Sequence, residues 1–111
     1  MIPSQMLKGI LEGCILKVIS SKETYGYEIS QELKKYGFSK ISEGTIYPLL
    51  LRLEKNNFIV AEYRESSSGP KRKYFSITPT GTKELIEFFI SWQEMCGAIN
   101  MLFKTGGADN E

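Results

Sequence analysis

Three adjacent cations carry the most specific chemistry in this sequence. Lys71, Arg72 and Lys73 directly follow a Gly-Pro pair, so they lie beside a predicted turn. Cationic side chains at a flexible tip suit the phosphates of a duplex, where contact is mainly electrostatic and largely independent of base sequence. The alternative interpretation is a solvated run of charge.

The chain lacks the residues that most often catalyse reactions near neutral pH. It contains no histidine and two cysteines, Cys14 and Cys96, which do not form a CxxC pair. The lack of histidine removes the commonest general base and most zinc sites, while isolated cysteines in apolar patterns are typical of buried thiols. The carboxylates show neither metal-ligand spacing nor a nearby phosphate loop. We therefore expect no enzyme activity, no metal and no cofactor.

Composition and charge are those of one small folded domain with a basic centre. The chain has 111 residues, of which 41% are hydrophobic and 24% charged, so it can bury a modest core. Residues 40–78 carry seven Lys or Arg and four Glu, a net +3, whereas residues 79–111 carry two Lys and five acidic residues, a net −3. This asymmetry fits a nucleic-acid partner. With no membrane-spanning run or signal pattern, we expect a cytoplasmic protein.

Two helices are predicted before residue 40. Apolar residues at three- and four-residue spacings predict a first helix over residues 4–20, whose broad face suits either the core alone or also a second subunit. A second helix follows, with Thr24 as its predicted cap and Gly37 at its end.

Two tyrosines lie at the start of the second helix. Tyr25 and Tyr27 flank a glycine where backbone N–H groups have no partner within the helix. Such groups can donate to a phosphate oxygen. Ordinary aromatic packing is the alternative.

A third, short helix is predicted to turn a polar face outward. Its inner stripe is formed by Ile46, Leu49, Leu50 and Leu53. Ser42 can cap its first turn. The outward face is formed by Thr45, Tyr47, Leu51, Arg52 and Lys55. Hydroxyls and cations on one exposed face suit a polyanion, and the short link to the preceding helix is typical of a helix-turn-helix.

Pro48 lies inside this third helix, against the usual rule for helices. Its ring would press on the carbonyl of Gly44, four residues earlier. We expect an irregular first turn, and this broken local rule indicates either a functional position or a tolerated kink.

A hairpin follows the third helix. Alternation predicts a strand over 58–65 with Ile59, Ala61 and Tyr63 on one face, a turn over 66–70, and a return strand over 71–78. A helix-turn-helix followed by a basic hairpin is the order of elements in a winged helix.

The last helix is predicted to pair with a second copy of the chain. Thr78 and Pro79 form a good helix start. Its heptad-like seam consists of Leu85, Phe88, Phe89, Trp92, Met95, Cys96, Ile99, Leu102 and Phe103. We predict a mainly α fold with a small β-hairpin, with a winged helix-turn-helix over residues 1–79, a dimerisation helix over 80–104 and a disordered tail over 105–111.

The motifs together resemble the PadR-like family of bacterial winged-helix transcriptional regulators. They run in order as YGYEI at residues 25–29, EGTIYPLL at 43–50, RLE at 52–54 and GPKRKYF at 69–75. The resemblance implies a homodimeric repressor on operator DNA, with the third helix in the major groove and the wing alongside it. One departure is Phe75, where family members often carry tyrosine.

The resemblance also implies which residues meet DNA and ligand. The expected DNA contacts are Tyr25, Tyr27, Ser42, Thr45, Tyr47, Pro48, Arg52, Lys71, Arg72 and Lys73. The single C-terminal helix is similar to the short branch of the family, in which some members release DNA on binding flat aromatic compounds between subunits. Trp92 is then the candidate stacking residue, or else interface core. A winged helix that holds only another protein is the alternative function.

Overall fold

A computed structural model describes residues 2–109 of the chain and the side chains as far as Lys104. In chain order the elements are α1 (Ser4–Leu7), α2 (Leu11–Ser21), α3 (Gly26–Lys35), α4 (Glu43–Lys55), β1 (Ile59–Ser66), β2 (Gly69–Ile77) and α5 (Pro79–Asp109). The mainly helical fold with one antiparallel hairpin confirms the predicted winged helix with a long C-terminal helix. None of the helices within residues 2–109 is long and apolar enough to cross a membrane.

The prediction of one continuous helix over residues 4–20 was wrong. The chain leaves the helix after Leu7 and re-enters it at Leu11, and between them Gly9 has a φ of +87°. Glycine adopts this left-handed conformation without steric cost. Because Leu7 and Leu11 are both buried, the apolar spacing continues across the break and conceals it.

The start of α3 also differs from the prediction. Thr24 does not cap the helix, since the N-cap position is Tyr25 and no side chain caps it. Instead the Thr24 backbone pairs with Phe75 of β2, donating over 3.2 Å and accepting over 2.7 Å, and its hydroxyl donates to Glu28 over 2.9 Å. This bridge fastens the base of the hairpin to the start of α3. The predicted end of the helix is confirmed at Gly37, where φ is +100°.

One hydrophobic core joins α2, α3, α4 and the base of the hairpin. Its most deeply buried side chains are Ile15, Leu16, Ile19, Ile29, Ile46, Leu50, Ile59 and Phe75. The predicted inner stripe of α4 is confirmed, because Ile46, Leu50 and Leu53 are buried and Leu49 is half-buried. The core therefore fixes which face of α4 points outward.

The hairpin projects beyond this core. Its register runs from Ile59 opposite Ile77 to Arg64 opposite Arg72, and the turn is shorter than predicted because β1 reaches Ser66 and β2 begins at Gly69. Tyr63 was predicted on a half-buried face but is 64% exposed, since the core ends before its position. The outer half of the hairpin consequently extends past the hydrophobic core as the wing.

Helix α5 begins as predicted and extends far past the core. The Thr78 hydroxyl accepts the Gly81 N–H over 2.9 Å, which caps the first turn. With 31 residues the helix is about 46 Å long at 1.5 Å per residue. It ends at Asp109 rather than at residue 104, while residues 110 and 111 of the predicted disordered tail lie outside the described residues.

Candidate nucleic-acid interface

The outward face of α4 begins at a well-formed cap. The Ser42 side chain accepts the N–H of Thr45 over 3.3 Å, and their hydroxyl oxygens also lie 3.3 Å apart. The α-helix runs without a break from Glu43 through Pro48 to Lys55, so the irregular first turn expected from the proline is not observed. Gly44, four residues before the proline, has no side chain to crowd the ring. Tyr47 is 50% exposed beside them. The predicted cap is confirmed, and the first two turns of the helix present two hydroxyls, a phenol and a rigid ring to the outside.

An open cleft of about 500 Å³ separates this face of α4 from the start of α3 and the wing. Its polar lining is formed by Tyr25, Tyr27, Glu43, Tyr47, Arg72 and Lys73. Five of these six were predicted as site residues, and they come from three elements. Glu43 was not among the predicted site residues. Its negative charge in the first turn of α4 interacts favourably with the helix dipole.

Arg72 is held on the ring of Tyr25. Its guanidinium carbon lies 4.6 Å from the ring centroid, and its Nη1 donates to the Tyr25 hydroxyl over 3.2 Å. Tyr74 packs against the same ring with the centroids 5.2 Å apart. The aromatic packing given as the alternative for Tyr25 is therefore present, and its partners are Tyr74 and the guanidinium of Arg72. The arrangement brings a positive charge to the N-terminus of α3.

Lys73 is held from the opposite side of the wing. Its Nζ lies 3.0 Å from Oε1 of Glu54 on α4, and its side chain is only 16% exposed. The hydrogen bond to Glu54 raises the pKa of Lys73 above its usual value, against the lowering effect of desolvation. This pair was not predicted, because the two residues lie 19 positions apart on different elements.

Lys71 is the freest of the three wing cations. Its side chain is 61% exposed, and its Nζ is 4.0 Å from the exposed carboxylate of Glu65. Such a surface pair contributes little to stability. The structure thus separates three neighbouring cations into one exposed at the tip, one stacked on an aromatic ring and one enclosed.

Arg52 does not reach the cleft. Its Nε and Nη2 donate to the two carboxylate oxygens of Glu12 on α2 over 3.0 and 2.9 Å. The hydrogen bond to Glu12 raises the pKa of Arg52. This two-point pair joins α4 to α2. Of the other predicted DNA contacts, five line the cleft, whereas Ser42, Thr45, Pro48 and Lys71 lie outside its lining.

Comparison with known proteins identifies the family. The model of the PadR-like family of transcriptional regulators matches residues 15–87, which include α3, α4, both strands of the wing and the start of α5. The chain belongs to the PadR-like family. Members of this family are transcriptional regulators and not enzymes, which agrees with the resemblance seen in the motifs.

Relatives of the PadR-like chain include solved structures from several bacteria. A PadR-like regulator from Bacillus cereus is 54% identical, with a TM-score of 0.80 over 89% of this chain and 96% of that one. A transcriptional regulator from Mycobacterium tuberculosis is 37% identical over 73 residues, 66% of each chain. PadR from Bacillus subtilis, solved in complex with operator DNA, is 26% identical, with a TM-score of 0.68 over 74% of this chain and 48% of that one.

The seam of α5 in this PadR-like chain is covered only near its beginning. Leu85 packs against the core, and the ring of Phe88 occupies the space where a side chain at Gly13 of α2 would lie. Beyond them, several large apolar side chains are exposed. Those of the predicted seam are Phe89, Trp92, Met95, Ile99, Leu102 and Phe103, while Ile86, Ile90 and Met101 form a second exposed line that the heptad analysis missed.

The two cysteines are both half-buried and free. Burial raises the pKa of the Cys14 thiol on α2. Neither cysteine lines the cleft between α4 and the wing.

Proposed function

We propose that this PadR-family regulator is a homodimeric repressor that binds a pseudo-palindromic operator through the cleft between α4 and the wing. The observation that carries the proposal is the convergence of the exposed face of α4, the N-terminus of α3 and the cations of the wing on one open cleft. The operator complex of the related B. subtilis PadR supports DNA as the partner. A regulator of bacterial transcription acts in the cytoplasm, so we place it there.

The chemistry of the cleft and of the α4 and wing surfaces beside it suits a duplex. Thr45, Tyr47 and Pro48 lie on the helix face of α4 that is not packed against the core. The two hydroxyl groups can hydrogen-bond base edges, and the proline ring can contact a thymine methyl group. Lys71 and Arg72 lie on the wing, where they can neutralise phosphates. Ser42 and Tyr27 complete the set at the first turns of α4 and α3, where exposed N–H groups favour phosphate oxygens.

The exposed seam of α5 supports a dimer. Leu102 and Phe103 are 70% and 75% exposed in the single chain. Such a contiguous apolar surface is unusual on a soluble monomer and is typical of an interface. Two chains paired along α5 would present two copies of α4, and a twofold axis then requires half-sites separated by about 10 base pairs or a multiple of that distance.

A planar aromatic effector between the subunits is the second part of the proposal. Trp92 lies on the seam and is 37% exposed, so two indoles related by a twofold axis could enclose a flat ring. Because it is the single tryptophan of the chain, its emission reports on this position alone. Titration with a planar aromatic dye should quench the emission and release DNA. Quenching without release would make Trp92 interface core with no regulatory part.

DNA binding is tested by affinity measured at several salt concentrations with the promoter region upstream of the gene. Specific binding should weaken by about 0.9 log units per neutralised phosphate for each decade of salt. The double variant Lys71→Glu/Arg72→Glu should abolish binding and leave the dimer intact. The matched control is Lys34→Glu/Lys35→Glu, at the opposite end of α3 from the cleft. Equal effects of the two double variants, or an intact dimer that binds only a protein partner, would refute the proposed site.

A further inference from the structure

One ion pair connects α4 directly to the outer half of the wing. It joins Glu54 and Lys73 at 3.0 Å, and the lysine is the least exposed charged side chain among the ion pairs of the described residues. Of the other contacts that anchor the hairpin, those at Ile59, Phe75 and Thr24 lie near its base. In the outer half, Arg72 lies on Tyr25 and Arg64 pairs with Glu23, and both contacts lead to the start of α3 or the segment before it, so the pair with Glu54 is the one that leads to α4. The pair is therefore placed where it can set the angle at which the wing leaves the core.

The surroundings of Lys73 explain why it is enclosed. On β2 it shares a face with Phe75, whose ring centroid is 5.5 Å from its Nζ, and it lies opposite Tyr63 on β1. Tyr47 of α4 lines the same cleft. The ammonium group thus lies between the Glu54 carboxylate and the Phe75 ring. Moving it to a phosphate would leave Glu54 without its partner beside a polyanion, which is unfavourable.

Arg72 points to the other face of the hairpin. Adjacent residues of a strand alternate between faces, so the guanidinium on Tyr25 and the ammonium on Glu54 hold the wing from opposite sides. The two contacts lead to different elements, α3 and α4. The wing is consequently fixed against both helices that border the cleft.

We propose that Glu54 and Lys73 are a positioning pair that fixes the wing relative to α4, and that Lys73 contacts no phosphate. The inference rests on the proposed DNA-binding function, and it replaces the phosphate contact predicted for Lys73 from the sequence. Lys71 and Arg72 then supply the phosphate contacts of the wing. The pair acts on DNA affinity through wing geometry, so its loss should weaken binding at every salt concentration.

The test compares Lys73→Met with Lys71→Met, a matched loss of one cation on the same strand. The slope of log affinity against log salt should become shallower by about 0.9 for Lys71→Met and stay unchanged for Lys73→Met. Lys73→Met and Glu54→Gln should each lower affinity about fivefold. The double variant should be no weaker than either single one, because both substitutions break the same contact.

A variant with the two charges exchanged tests whether restoring the ion pair restores DNA affinity. Glu54→Lys/Lys73→Glu keeps the net charge and the pair, so it should restore affinity to within about twofold of the wild type and keep the wild-type salt slope. If a single variant does not fold, this double variant still shows whether the ion pair sets DNA affinity. Unfolding by urea, measured in parallel, shows whether the substitutions act on stability alone.

Several outcomes would overturn the inference. A slope change for Lys73→Met equal to that of Lys71→Met would make Lys73 a phosphate contact. Tighter binding and a steeper slope for Glu54→Gln would mean that Glu54 merely holds back a phosphate-binding lysine. Lower stability with wild-type affinity would make the pair purely structural. Absence of binding by the wild-type chain would instead refute the proposed function.

Discussion

Replacement of Leu102 by alanine should separate the proposed dimer into monomers. The side chain lies on the seam of α5 and is 70% exposed in the single chain. Truncation to alanine removes about 2 kcal/mol of transfer free energy for a fully buried leucine, at roughly 0.8 kcal/mol per carbon. In the dimer, the 70% of the Leu102 side chain that is exposed in the single chain would be covered in both copies. The substitution should therefore weaken dimerisation by about 3 kcal/mol, which raises the Kd about a hundredfold.

Met101→Ala is the matched control for this prediction. Met101 is the neighbouring residue, is 64% exposed and lies off the seam, so its truncation should leave the dimer Kd within about threefold of the wild type. Sedimentation equilibrium of the wild type and the two variants over nanomolar to micromolar concentrations measures the three dissociation constants. Equal losses for the two variants, or a Kd unchanged in Leu102→Ala, would refute the seam as the interface.

Three further predictions concern single positions. Gly13→Ala should lower the free energy of unfolding by about 1–3 kcal/mol in urea denaturation, because an aromatic ring of α5 occupies the space of its Cβ. Gly97→Ala is the control, since Gly97 is also helical but has open space around it, and this substitution should leave the free energy of unfolding unchanged or raise it by up to about 1 kcal/mol. Changes of the same sign in the two glycine variants would contradict the contact between Gly13 and α5. Ser42→Ala should cost about 1 kcal/mol through loss of the cap, measured the same way, and an unchanged value would contradict the cap. In a Cys96→Ser variant, Cys14 should react with a thiol reagent at neutral pH more slowly in the folded than in the unfolded protein, since burial raises its pKa. Equal rates would contradict this burial.

Features set by neighbours in the chain could be predicted from the sequence. The stripe and cap of α4 depend on residues within two turns of each other, and both are confirmed. The start of α5 at Thr78 and Pro79 is local in the same sense. The break at Gly9 was missed because apolar spacing is unaffected by it, and only a backbone angle reveals it.

Features set by distant parts of the chain could not be predicted. Thr24 was predicted to cap α3 because threonine favours cap positions, but its backbone groups hydrogen-bond Phe75 of β2 instead. The same applies to Arg52, whose partner Glu12 is 40 residues away. The cleft itself was predictable only as a set of residues. How the wing cations differ in exposure and partners depends on contacts that no spacing encodes.

Selection of binding sites from a random duplex library by the purified chain shows whether it binds DNA as a symmetric dimer. Paired α4 helices flanked by basic wings predict an enriched, pseudo-palindromic motif whose half-sites lie about 10 base pairs or a multiple apart. The complex should contain two chains per duplex. An unenriched pool, or a single asymmetric site bound by one chain, would show that the chain is not a dimeric operator-binding regulator.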